Sequence, residues 1–121
     1  NVDVEQGIAN IRHLESESDV VMPQVGDCDL AMVYSGRAMG RSIPAGTVVF
    51  LKNIERDEII PGEEYVIISR KIVTLRIVRA ADGEHRLRLV AGDSKNYDDI
   101  ILNVSDIRNV YKVKGKLIIS T

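Results

Sequence analysis

Seven short runs rich in β-branched and aliphatic residues, each closed by a turn signal, constrain this chain more than any other feature. They read DLAMVYS, TVVFLKN, EYVIIS, KIVTLRIVRA, HRLRLVA, DDIILN and VYKVKGKLIIS. Between them lie Pro44-Ala45-Gly46, Pro61-Gly62-Glu63, Ala81-Asp82-Gly83-Glu84 and Gly92-Asp93-Ser94-Lys95-Asn96. Glycine supplies positive φ, proline a fixed φ, and Asp or Asn a local side-chain hydrogen bond, so such clusters end strands. The pattern predicts a mainly-β domain of about seven strands, closed as a barrel or stacked as a sandwich. Residues 1–22 differ. Ile8, Ile11 and Leu14 show weak helical spacing and the polar run Glu15–Asp19 follows, so this stretch reads as a short arm or linker before a domain over 23–121.

Two hairpins are legible in detail. Ser69–Ile72 suits a tight connection between strands at 64–69 and 72–79. Alternation along the second of these puts Val73, Leu75 and Ile77 on one face and Thr74, Arg76 and Val78 on the other, which is expected to be the wetter one. Asp82-Gly83 predicts a two-residue turn from 72–79 into a strand at 85–91.

Composition narrows the function. At 121 residues and 45% hydrophobic content, one domain with a real core is expected. Sixteen basic against eighteen acidic residues leave a net charge of −2, which argues against strong binding of nucleic acid or an anionic membrane by this segment alone. The single cysteine, Cys28, excludes an internal disulfide framework and suits a reducing compartment, the cytoplasm. No apolar run approaches the roughly 18 residues of a membrane span. His13 and His85 are far apart, and Asp93, Asp98 and Asp99 lack a calcium-loop pattern, so neither metal nor cofactor is expected. Arg70, Lys71, Arg76, Arg79, Arg86 and Arg88 cluster on the hairpins and read as a solvated face among acidic neighbours.

The order of short motifs is informative in itself. Asp27-Cys28-Asp29 leads into LAMVY. Ser35-Gly36-Arg37-Ala38-Met39 follows, then Ile43-Pro44-Ala45-Gly46 and the apolar TVVFL. Further on come Ile60-Pro61-Gly62-Glu63 before YVIIS, then LRLVAGDSKNYDDIIL and IRNVYKVKGKLI. From about Pro23 to Leu117 this succession resembles the peptidase-like C-terminal domain of the LexA and phage-repressor family, which shares its fold with bacterial signal peptidases. The resemblance implies a signal-peptidase-like barrel of about seven strands with a short N-terminal arm. In that family the serine of a Gly-Asp-Ser-Met turn is the nucleophile, and a lysine on a later strand is its general base. Such a lysine works only when burial lowers its pKa enough to leave it neutral.

Neither group stands in this sequence. The nucleophile position is Ala38, whose methyl group cannot attack a carbonyl, and the base position falls at Leu75. A shift by one residue would put Arg76 there, which stays protonated and is no base. The acidic neighbour of the nucleophile is Arg37, and the segment before the domain has no small-residue pair of the kind at which family members cut themselves. The resemblance therefore implies a peptidase fold that has lost its chemistry, with Ser35, Gly36, Arg37, Met39, Pro44 and Gly46 left as the loop. Two alternatives stay open: a self-cleaving Ser-Lys peptidase in which Ala38 is engineered, and a peptide or small-molecule module using the emptied cleft. Engineering accounts for Ala38 but not for Arg37, Leu75 and the missing pair.

The family uses this domain to pair two helix-turn-helix heads on a two-fold operator. The resemblance thus implies a homodimeric, non-catalytic part of a bacterial or phage transcriptional regulator. It would reach DNA only through an N-terminal part missing from this chain, which opens at Asn1 rather than methionine. In the last run Tyr111, Val113, Leu117 and Ile119 are expected on one face, opposite Lys112, Lys114 and Lys116. This terminal strand either pairs with its copy through that apolar face or closes its own sheet.

Overall fold

The computed structural model describes residues 28–118, and within them the seven runs form seven antiparallel strands. These are β1 (Leu30–Tyr34), β2 (Thr47–Ile54), β3 (Glu64–Ser69), β4 (Val73–Ala80), β5 (Arg86–Val90), β6 (Ile100–Asn103) and β7 (Ile107–Leu117). The arm expected over 1–22 and the dimer candidate Ile119 lie outside the described residues. All seven strands share one sheet in the order β1-β2-β7-β3-β4-β5-β6. The expected barrel does not close, because β1 and β6 remain edges. Closure requires strand tilt and register stagger that return the last strand to the first. Turn signals count strands but encode neither quantity.

Alternation sends successive side chains to opposite faces, and both faces are covered. On β3, Val66 joins a first core with Met32, Met39, Ile43, Leu51 and Leu75, while Tyr65 and Ile67 join a second with Val78, Leu89 and Val110. Each strand of this central pair therefore carries apolar residues on both sides, as YVII and VTLRIV require.

The β3–β4 hairpin forms where expected. Ser69 N donates to Ile72 O at 2.9 Å, and the Ser69 hydroxyl accepts from Lys71 N and Ile72 N at 3.3 and 3.1 Å. The β4–β5 hairpin also forms, with Ala80 opposite Leu87, but residues 81–85 make the connection instead of a two-residue turn. Gly83 (φ 94°) and His85 (φ 63°) both take positive φ there. His85, expected on a strand face, is exposed in this connection, and its carbonyl accepts from Val104 N at 2.8 Å.

Two expectations about faces are corrected. Leu75 does lie on the apolar face, but Arg76 on the other face is buried, only 8% exposed. It stands opposite the fully buried Tyr65 and donates through Nη1 to Asp98 O at 3.1 Å. The second correction concerns β7, which runs between β2 and β3 in the middle of the sheet. Phe50 pairs with Gly115 and Leu51 with Val113, so Lys114 is an extra residue in a β-bulge. One extra residue inverts the alternation beyond it. Leu117 therefore leaves the face of Tyr111 and Val113, and Lys116 joins it.

Candidate functional site

The loop between β1 and β2 is shaped by backbone bonds and two buried anchors. Gly46 N donates to Tyr34 O at 2.7 Å and Thr47 N to Pro44 O at 3.1 Å, which closes the base of the loop. Gly40 N donates to Arg37 O at 3.1 Å, and both Ser42 N and Ser42 Oγ donate to Met39 O, at 3.3 and 2.9 Å. Met39 and Ile43 are fully buried in the first core and pin the loop to it. Gly46, at φ 92°, occupies a conformation that costs any other residue strain.

Neighbouring segments hold this loop from both sides. Asp93 N donates to Ala38 O at 2.8 Å, and Gly92 packs so closely that a Cβ there would sit 2.2 Å from Met39 O. On the other side Lys116, turned to this face by the bulge, donates to Ser42 O at 3.3 Å and pairs with Glu64 at 2.8 Å.

The loop and β4 face each other across a cleft of about 220 Å³. Ala38 and Leu75, two positions 37 residues apart in the sequence, both line it. So do Ser35, Gly36 and Arg37 from the loop, and Arg76 from β4. Of the other loop positions, Met39 is buried beneath, and Pro44 and Gly46 shape the exit into β2. Ser42 donates to Met39 O, and Lys71 is exposed in the β3–β4 turn outside the cleft, so among the described residues neither joins a Ser–Lys pair there. Tyr111 and Val113, expected at a dimer interface, pack against the first core of their own chain.

Two cleft residues carry no signal in the motif pattern. Tyr34, only 3% exposed, places its ring under Gly36, where a Cβ would meet the phenol oxygen at 2.7 Å. Gly36 is thus required by packing. Burial raises the Tyr34 pKa above its ordinary value; the amides of Met39 and Ala38 and the charge of Arg76 pull it down, and Tyr97 adds to the rise. Tyr97, the other residue, lines the same cleft. The only cue to either was the scarcity of aromatics in a chain with four tyrosines.

A raised acid pKa means that the folded state holds the proton longer than the unfolded chain. Tyr34 should therefore contribute stability that is intact below the unfolded tyrosine pKa of about 10 and lost as pH climbs toward the higher folded value. Urea midpoints measured across alkaline pH for the native chain and Tyr34→Phe should converge as pH rises through that window. Parallel curves would exclude the contribution.

Among the described residues, no group of three His, Cys, Asp or Glu is placed to hold a metal ion. Asp93 accepts from Asn96 Nδ2 at 2.9 Å, Asp99 pairs with Arg88 at 3.2 Å, and Asp98 offers its carbonyl to Arg76. No helix among them is long and apolar enough to cross a membrane. Compared with models of protein families and with curated protein sequences, the chain matches none.

Proposed function

We propose that the chain is a non-catalytic, LexA-like dimerisation and regulatory domain of a bacterial or phage transcriptional regulator. It acts in the cytoplasm and contacts DNA only through an N-terminal part outside this chain. The observation that carries this reading is the pairing of Ala38 with Leu75 across one cleft. A hydrolytic site of this design needs a nucleophile on the loop and a neutral amine on the facing strand. Here a methyl group and an isobutyl group line the cleft instead, and the cations beside them, Arg37 and Arg76, are guanidiniums, which do not serve as general bases.

The dimer part rests on the far end of β7. Pairing with β3 ends at Lys112, whereas pairing with β2 runs on to Leu117, so residues 113–117 have a strand on one side only among the described residues. Leu117 and Ile118 are 44% and 56% exposed at that end. A second copy could add there by strand pairing, an arrangement that leaves Tyr111 and Val113 in their own core.

Light scattering over a concentration series is expected to give twice the chain mass at the upper end. A monomer throughout would remove the dimer from the proposal. Incubation of the intact chain at alkaline pH is expected to leave it uncut, and a specific self-cleavage product would restore the peptidase reading.

A further inference from the structure

Among the described residues the charge of Arg76 has no counter-charge, and this makes the cleft more than an empty relic. Buried arginines are ordinarily paired with carboxylates, because an ion removed from water needs compensation. Other arginines of the same hairpins have such partners: Arg70 with Asp106 and Arg88 with Asp99. Arg76 is more deeply buried than either, yet among the described residues it is given only a neutral carbonyl, that of Asp98. Its Nε is buried without any hydrogen-bond partner.

We propose that the cleft binds a carboxylate carried on a short aliphatic stem, with Arg76 as the group that receives it. This rests on the reading of the cleft as non-catalytic and adds the class of ligand that it takes.

Three features select this chemistry. Nη1 is occupied by Asp98 and Nε is enclosed, which leaves Nη2 to donate a charge-assisted bond to a carboxylate in the cleft. Tyr34 and Tyr97 also line the cleft, and a phenol is a donor from which a carboxylate can accept. The remaining wall is apolar, from Ala38, Val73, Leu75 and Ile100, and this suits an alkyl stem. A volume of about 220 Å³ admits a small acid or the last residue of a peptide. Arg37 also lines the cleft but is exposed, so the one buried cation, Arg76, balances a monoanion and leaves inorganic phosphate, largely dianionic above neutral pH, with a second charge met only by a solvated guanidinium.

The test is a titration of the uniformly ¹⁵N-labelled 121-residue chain with four probes. These are pentanoate, pentanamide, inorganic phosphate and an acetylated Val-Ala dipeptide with a free C-terminal carboxylate. Pentanoate or the dipeptide should saturate the protein, shift the amides of Gly36–Ala38 and Tyr97, and move the Arg76 Nε–H resonance. Pentanamide and phosphate should bind roughly 10- to 100-fold more weakly. The tighter of the two acids identifies the source, a metabolite or a chain terminus. Arg76→Met should reduce acid binding by a similar factor, and Arg76→Lys should retain part of it.

Equal binding of amide and acid would overturn the proposal, as would an Arg76 Nε–H resonance that stays put on saturation. The second readout needs no variant, so it stands even if Arg76→Met does not fold. Cleavage of the dipeptide would overturn the non-catalytic reading, whereas failure to bind acids overturns the ligand class alone.

Discussion

Leu75→Lys is expected to destabilise the fold by about 3–5 kcal/mol at neutral pH, the penalty of an uncompensated buried charge. Leu75 is 1% exposed and packs in the first core opposite Val66 of β3. A lysine there must bury an ammonium with no carboxylate beside it or give up its proton. The substitution supplies the base that the resembled family carries, so its effect also measures how far this site has been rebuilt for packing. The pH dependence has a definite sign. Desolvation lowers the folded pKa of a buried lysine below its unfolded value of about 10.4, so between the two values the unfolded state binds more protons. Stability of the variant should therefore recover as pH rises through that interval. Urea midpoints at several pH values would read both effects. A midpoint equal to that of the native chain would mean that side chain 75 reaches water through the cleft.

Gly92→Ala should be nearly as damaging, at about 3 kcal/mol, the upper end for overpacking at a well-filled site. The added carbon would lie 2.2 Å from Met39 O, a backbone atom that cannot swing aside like the end of a side chain. Relief requires separating the 92–99 segment from the loop at Ala38, which breaks the bond from Asp93 N to Ala38 O. Gly46→Ala makes the comparison. Nothing lies within 4 Å of a Cβ there, so only its positive φ of 92° is strained, at about 1–2 kcal/mol. Thermal or urea unfolding of the two variants separates close approach from backbone strain. Equal losses would show that Gly92 is not a contact point between the two loops.

Gly92 also marks a limit of what could be read from the chain. Its place in Gly-Asp-Ser-Lys-Asn announces a turn, and a turn is what forms. That the turn folds against residue 39 follows from contacts between distant segments, and local chemistry does not record them. All seven strands were legible because alternation and β-branched content act locally. The β3–β4 turn was legible for the same reason. Ala38 and Leu75 were legible as substituted positions by resemblance, but their place on one cleft is a matter of packing.

Arg76 was misread for an instructive reason. Alternation correctly put it on the face opposite Leu75, and an arginine on such a face is usually wet. It is buried because the segment around Asp98 covers that end of β4. The face of Leu117 was misread because one inserted residue, Lys114, reverses the alternation, and a bulge has no reliable mark in the residues themselves.

The sequence by itself determined the strand count, the positions of the main turns and the apolar face of β4. These follow from side-chain chemistry and from a period of two. Only the tertiary structure decided that the sheet stays open and that β7 lies inside it, between β2 and β3. It also decided that Lys116 clamps the loop and that a buried guanidinium lines the cleft with no counter-charge among the described residues. Those outcomes depend on register, bulges and the covering of one segment by another, which arise from contacts between residues far apart in the chain.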